Sequence, residues 1–116
     1  MAERETYKTI DNVTFGFDQE SFWFYQEGGN IRDKGSLRLS REQVSLLGEY
    51  VLRGLLARSA TFDVAPVGIV FAGGNLILKT GHPRRDTGRR HLPPIKRMNV
   101  PKVLEVLAEF LVQSSP

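Results

Sequence analysis

The sequence contains no cysteine. Disulfide bonds, thiolate metal sites and a cysteine nucleophile are therefore excluded, and this composition fits a reducing compartment. The longest mostly apolar run, from Val64 to Ala72, is interrupted by Pro66 and Gly68 and is far shorter than the roughly 20 residues that cross a bilayer. The acidic stretch from Met1 to Glu5 lacks the apolar core of a secretory signal. We therefore expect a protein of the cytoplasm, or of a nucleoid or organellar matrix, that is neither secreted nor bound to a membrane.

The signatures of common enzyme classes are also missing. There is no P-loop, no dinucleotide-binding fingerprint, no nucleophile elbow and no zinc-ligand spacing. His82, Asp86 and His91 form the one grouping that suggests metal binding or acid–base chemistry, but they lie among arginines, whose positive charge disfavours a bound cation. We therefore predict a protein that is not an enzyme and that uses neither a metal ion nor another cofactor.

The composition is that of a folded domain. The 116 residues are 41% hydrophobic and 25% charged, which is ordinary for a globular protein long enough to bury a core, and we expect residues 1–116 to form a single domain. The alternating pattern near the start predicts a strand within Tyr7–Phe17. Phe22-Trp23-Phe24-Tyr25 predicts another strand, in which alternate side chains point to opposite faces.

Helix signals follow each group of strands. Ser40-Arg41-Glu42-Gln43 is a capping box, and the apolar spacing after it predicts a helix to about Arg58. In the second half, Val67–Ala72 and Asn75–Thr80 have the apolar composition of strands, and a last helix starts at residues 99–100. The sequence therefore predicts an α+β fold with antiparallel sheets and two helices.

The two halves share a short sequence similarity. Gly-Gly-Asn occurs at residues 28–30 and 73–75, and in each half a hairpin, a strand and a helix are expected around it. This order favours a tandem pseudo-repeat over residues 7–58 and 65–113, with a connector between the halves.

The second half is longer after its Gly-Gly-Asn. Asn30 lies 10 residues before the cap Ser40, whereas Asn75 lies 24 residues before the candidate cap Asn99. The difference predicts an insertion of about 14 residues, matching residues 81–94. Long loops are uncommon in compact domains and often carry function.

Positive charge is concentrated around this expected insertion. Residues 1–78 carry eight basic and ten acidic side chains, and residues 103–116 carry two acidic ones. Residues 79–102 carry eight basic side chains against Asp86 alone, a net charge of +7 in a chain whose total is +3. Such a block repels itself unless it is solvated or meets an anion.

This basic block and the aromatic strand are the candidate binding residues. Guanidinium groups match phosphate oxygens in pairs and also stack on bases. Trp23 and Tyr25 are the more amphipathic pair of their strand, so we predict that they are exposed and stack on bases, unless both faces of the sheet are covered. The predicted phosphate-binding side chains are Arg84, Arg85, Arg89, Arg90, Lys96, Arg97 and Lys79.

The class of partner has two main alternatives. The first is single-stranded DNA or RNA, bound without catalysis. The second is an acidic protein surface, on which a small interaction or regulatory module docks its arginines; the slightly acidic remainder of the chain favours this alternative. A solvated loop that only aids solubility is the third interpretation. The incomplete strand count of each half is compatible with a homodimer that pairs through a sheet edge.

The repeated order of strands and helix, over roughly residues 7–113, resembles the arrangement of Whirly and PUR-type nucleic-acid-binding proteins and of a related single-strand-binding coactivator module. The stretch Gly35-Ser36-Leu37-Arg38-Leu39-Ser40-Arg41-Glu42-Gln43, a strand that runs into a capped helix, is similar to the end of that coactivator module. The resemblance implies curved antiparallel sheets packed on helices, pairing of repeats within or between chains, and single-stranded nucleic acid held across the sheets.

Overall fold

The computed structural model describes residues 5–27, 38–64, 67–80 and 90–113. These residues form two antiparallel sheets, ordered β1-β2-β3 and β4-β5-β6-β7, and two α-helices, which confirms the predicted α+β fold class. No helix among them is long and apolar enough to cross a membrane. The elements are β1 (Thr6–Ile10), β2 (Val13–Phe17), β3 (Phe22–Gln26), α1 (Arg41–Ala57), β4 (Ala60–Val64), β5 (Val67–Ala72), β6 (Asn75–Thr80), β7 (Arg90–His91), a 3-10 helix (Arg97–Asn99) and α2 (Val100–Gln113).

The first sheet begins with a tight hairpin. The stretch Tyr7–Phe17 contains two strands rather than one, because Asp11 and Asn12 turn the chain with φ of 47° and 69°. Asp and Asn tolerate the left-handed region better than other side chains, and two such residues form the turn whose twist matches a hairpin. β2 then pairs antiparallel with β3.

Helix α1 confirms the predicted capping box. The Gln43 backbone N–H donates to Ser40 Oγ at 3.2 Å, and the Ser40 backbone N–H donates to Gln43 Oε1 at 2.8 Å. These bonds satisfy two backbone donors at the start of the helix. The helix ends at Arg58, where φ is 67°, as the sequence predicts.

The predicted connector between the halves, residues 59–66, is wrong for residues 60–64, because they form β4. In this edge strand Val64 is buried and Phe62 is half-buried, while Thr61 and Asp63 are exposed. Such a short strand with polar alternate residues is easily mistaken for a loop. The Gly73-Gly74 turn between β5 and β6 is confirmed, with φ of 61° and 87°.

The two halves repeat the same order of elements, but not in the alignment that the sequence predicts. In the described residues the first half has three strands, and the second has three strands followed by the two-residue β7. Each half then makes one further pairing before its helix, Phe22 with Leu39 in the first half and Leu76 with Ile95 in the second. These partners are 17 and 19 positions apart, so the halves differ by two residues between these pairings. Most of the predicted insertion over residues 81–94 lies outside the described residues. The Gly-Gly-Asn at residues 73–75 joins the second and third strands of its half, whereas residues 28–30 follow the third strand. Residues 28–30 themselves lie outside the described residues.

Each helix packs on the sheet of the other half. α1 contacts β4, β5 and β6, and Gly54 of α1 lies directly against the Phe71 ring. α2 contacts β1 and places the Phe110 ring 5.8 Å from Phe17 and 5.6 Å from Phe22, measured between ring centroids. The two helices also contact each other, so both halves contribute to one hydrophobic core.

The start of α2 is held by turns from both sheets. Asp11 Oδ2 accepts hydrogen bonds from the Lys96 backbone N–H at 2.8 Å and from Asn99 Nδ2 at 2.9 Å. Asn75 Oδ1 accepts one from the Arg97 backbone N–H at 3.1 Å. Before this start, Ile95 makes a single pairing with Leu76, and the chain then turns into the 3-10 helix.

Candidate nucleic-acid interface

The two faces of the first sheet carry different chemistry. Phe22 and Phe24 point into the core, and Trp23 and Tyr25 point to the opposite side, so the predicted alternation is confirmed. We call the side turned away from α2 the outer face. Its residues are Tyr7, Thr9, Thr14, Gly16, Trp23, Tyr25 and Arg38.

A row of side chains crosses the outer face at one level. Tyr7, Gly16 and Trp23 are direct partners in the register of the three strands. A Cβ atom on Gly16 would overlap the Trp23 indole, so the missing side chain leaves the space in which the indole lies across β2. The Tyr7 ring meets the indole nearly edge-on, with centroids 6.1 Å apart and an interplanar angle of 62°. This edge contact is a favoured geometry for aromatic pairs.

Arg38 completes the row on the far side of Trp23. Leu39 pairs with Phe22 and is buried in the core, so the preceding residue lies on the outer face. The guanidinium carbon of Arg38 is 5.4 Å from the centroid of the Trp23 ring and lies over it. Cation–π contact of this kind contributes about 0.5–1 kcal/mol at exposed sites. Arg38 is not among the binding residues predicted from the sequence, although its position between Leu37 and Leu39 is a signal for an outward side chain.

Trp23 is buried, so the prediction that it is exposed is wrong. Its relative exposure is 0%, and the residues in contact with it include Gly16, Tyr7 and Arg38. Tyr25 is half-buried, and Tyr7 is 41% exposed. The accessible aromatic side chains of the outer face are therefore Tyr7 and Tyr25.

A buried carboxylate lies at the base of Arg38. Asp18 Oδ1 accepts hydrogen bonds from the backbone N–H groups of Glu20 and Ser21, both at 2.8 Å, and from Ser21 Oγ at 3.2 Å. Burial raises the pKa of Asp18, but these hydrogen bonds and the nearby Arg38 charge outweigh it, so the pKa lies below its usual value. Arg38 Nη1 lies 4.0 Å from Asp18 Oδ2 and donates to Ser21 Oγ at 3.3 Å. The carboxylate and the hydroxyl thus fix one edge of the guanidinium.

The predicted basic residues whose side chains the structure describes, Lys79, Lys96 and Arg97, do not come together at one place. Lys79 pairs with His91 across β6 and β7, and the backbone of Arg90 pairs with Thr80 beside them. Arg97 lies at the other end of β6, where its side chain covers Gly74, about 13 Å away along the strand. Lys96 is exposed next to the Asp11 turn.

The rest of the predicted basic segment lies outside the described residues. This holds for Arg84, Arg85 and Arg89, and for His82 and Asp86 of the trio considered for catalysis. In the ranges that the structure describes, no three His, Cys, Asp or Glu residues are grouped so that they hold a metal ion.

A groove between the first sheet and α2 has a different character. It has a volume of about 600 Å³ and lies between Thr6 and Phe17 on the strands and Glu105, Glu109 and Val112 on the helix. Lys8 bridges to Glu109 with 3.1 Å between Nζ and Oε1. The carboxylates repel a phosphate, and the apolar groups give it no hydrogen bonds in exchange for its water, so this groove is not a phosphate site.

Comparison of the chain with protein-family models, with curated proteins and with solved structures gives no match.

Proposed function

We propose that the protein binds single-stranded nucleic acid without catalysis, with the outer face of the first sheet as one part of the binding surface. The observation that carries this proposal is the row on that face, where the accessible Tyr7 lies beside Trp23 and the guanidinium of Arg38, with Tyr25 on the same face. Aromatic side chains on a sheet stack with unpaired bases, and arginine adds charge next to them.

The charge distribution supports the same proposal. Residues 79–102, with a net charge of +7, include the candidate phosphate contacts Arg84, Arg85, Arg89, Arg90, Lys96 and Arg97. A single strand is favoured over a duplex because a duplex keeps its bases stacked internally and leaves none for Tyr7 or Tyr25. The proposal places the protein where single strands occur, in the cytoplasm or in a nucleoid or organellar matrix.

Fluorescence anisotropy with a labelled oligothymidylate tests this function. If about four basic groups contact phosphates, affinity falls with salt with a logarithmic slope near −2.8, a loss of about fiftyfold between 50 and 200 mM salt. Replacing the four arginines at 84, 85, 89 and 90 by alanine reduces the affinity and the slope. An oligonucleotide affinity that is undetectable at 50 mM salt, or that is unchanged in this variant, contradicts the proposal.

A protein–protein interaction module is the second candidate, and exposed leucines favour it. Leu52 is 49% exposed and Leu56 is 78% exposed, one turn apart on α1. A pull-down after nuclease treatment separates this candidate from the first. A stoichiometric partner that is lost in the double variant Leu52→Ser and Leu56→Ser supports docking on α1; loss in the arginine variant instead supports docking of the basic segment on an acidic partner.

A further inference from the structure

We infer that Arg38 forms a subsite for the phosphodiester group of a bound single strand, held in position by Asp18 and Ser21. The inference rests on the proposed function and goes beyond it, because it names the outer-face cation that receives the strand's backbone. Arg38 lies outside the basic block of residues 79–102.

The guanidinium is oriented before any ligand arrives. Nη1 donates to Ser21 Oγ, and Asp18, which accepts three hydrogen bonds of its own, keeps its charge beside it. The guanidinium also lies over the Trp23 ring, with 5.4 Å between its carbon atom and the ring centroid. An arginine held on one edge and one face loses little conformational freedom when it binds a ligand, and this is the setting in which its fork of donors binds a phosphate well.

About half of the Arg38 side chain is open to solvent. Its side chain is 52% exposed although Asp18 beside it is only 6% exposed. A guanidinium has five N–H donors, and the described contacts use one nitrogen of the group. Two parallel N–H groups on the exposed edge match two phosphate oxygens.

The two ends of the row on the outer face carry opposite charges. At the opposite end of the row, Tyr7 Oη donates to Glu5 Oε1 at 2.9 Å, so a carboxylate lies there. The phosphate backbone is repelled at that end and attracted at the Arg38 end. A strand on this face therefore places its backbone over Arg38 and turns its bases toward Tyr7 and Tyr25.

The test compares two arginines of similar surroundings. Arg53 on α1 also lies over an aromatic ring, 5.9 Å from the centroid of Tyr50, and pairs with Glu49 at 2.7 Å. We therefore compare R38A and R38K with R53A in the full chain. Two labelled probes of equal length are used, an oligothymidylate and an abasic strand that has the phosphates but no bases. The affinities are measured at several salt concentrations.

We expect R38A to bind both probes about tenfold more weakly, because one charge-assisted contact is lost. The magnitude of its salt slope falls by about 0.7, the value for one phosphate contact on a single strand. R38K retains the slope but binds about threefold more weakly, since lysine keeps the charge and lacks the fork. R53A changes neither quantity. Trp23 is the only tryptophan, so its emission and melting curve report whether each variant is folded around this site.

Three outcomes overturn the inference. Unchanged affinity and slope in R38A, when the wild-type protein binds, leave the proposed function standing without this subsite. Loss of affinity on the oligothymidylate alone assigns Arg38 to base stacking rather than to phosphate. Failure of the wild-type protein to bind either probe overturns the inference together with the proposed function. If R38A does not fold, R38K and S21A replace it; S21A keeps the charge, removes the orienting hydroxyl, and is expected to weaken binding about twofold to threefold at an unchanged slope.

Discussion

The two halves of the chain have the same order of elements, but different side chains fill the contact between the helix and the sheet in each case. Each sheet must be covered by a helix that comes from the other half. On the first sheet, α2 inserts the Phe110 ring beside Phe17 and Phe22. On the second sheet, α1 approaches so closely that Gly54 takes the place where a side chain would meet Phe71.

The outer faces differ in the same way. The first sheet carries Tyr7, Trp23 and Arg38 in a row. At the corresponding positions of β5 and β6, the second sheet carries the paired and half-buried Val70 and Ile77. A backbone repeat therefore does not require repeated side chains, because a bulky ring and a close glycine contact both fill the space between a helix and a sheet. Binding chemistry is consequently expected to be unequal between the halves.

The largest effect is expected from Phe110→Ala. Removing a fully buried ring costs about 3–5 kcal/mol of unfolding free energy. Because α2 belongs to the second half but covers the first sheet, urea unfolding followed by Trp23 emission and by circular dichroism should give one coincident, shifted transition. Val112→Ala, on the same helix but 74% exposed, is the control with almost no effect. Separate transitions for the two probes would contradict the exchange of helices.

A pair of glycines on α1 should respond in opposite directions. A Cβ on Gly54 overlaps the Phe71 ring, so Gly54→Ala is expected to lower the unfolding free energy by about 1–3 kcal/mol. A Cβ on Gly48 lies 3.7 Å from Leu107, an ordinary contact, so Gly48→Ala should raise stability by up to about 1 kcal/mol through helix propensity. Thermal melting of both variants measures the contrast, and equal signs would show that Gly54 is not the point of closest approach.

The hydrogen bonds from the start of α2 to Asp11 of the first hairpin predict that the unfolding free energy depends on pH. Hydrogen bonds from Asn99 and from the Lys96 backbone, with nearby lysines, hold the pKa of Asp11 below its usual value despite slight burial. This stabilisation is complete above the unfolded-state pKa of about 3.9 and is lost as the pH falls through the lower folded-state pKa. Asp11→Asn, which tolerates the same left-handed backbone but carries no charge, should cost about 0.5–1.5 kcal/mol at pH 7 and much less near pH 2. A constant difference between wild type and variant across this range would refute the link to ionisation.

The smallest effects concern the two hairpin turns. Gly73 has φ of 61° and open space around its Cβ position, so Gly73→Ala loses about 1 kcal/mol from backbone strain alone. In the first half, Asn12 adopts φ of 69°, and Asn12→Gly should change stability by less than about 0.5 kcal/mol. Melting temperatures of the two variants distinguish a strained turn from a tolerant one.

Local signals predicted much of the fold. The helix over Arg41–Ala57 follows from a capping box, and the strands around Gly73-Gly74 follow from their apolar composition. The edge strand β4 was missed because it buries little, and the repeat was misaligned because a tripeptide match carries no information about which strands pair.

The candidate site was harder to predict. Alternation correctly placed Trp23 opposite the core, but its exposure depends on Tyr7, Gly16 and Arg38, which come from three other segments. Such coverage is a property of strand register, and a single strand's sequence does not contain it.

The crossed arrangement of helices makes each half depend on the other for its fold. A fragment equal to the first half alone would leave the apolar side of its sheet, including Phe17 and Phe22, in water, because the Phe110 ring that packs there belongs to the second half. Such a fragment is therefore expected to fold only when the second half is supplied as a separate chain. Joining the halves in one polypeptide makes their contact independent of protein concentration.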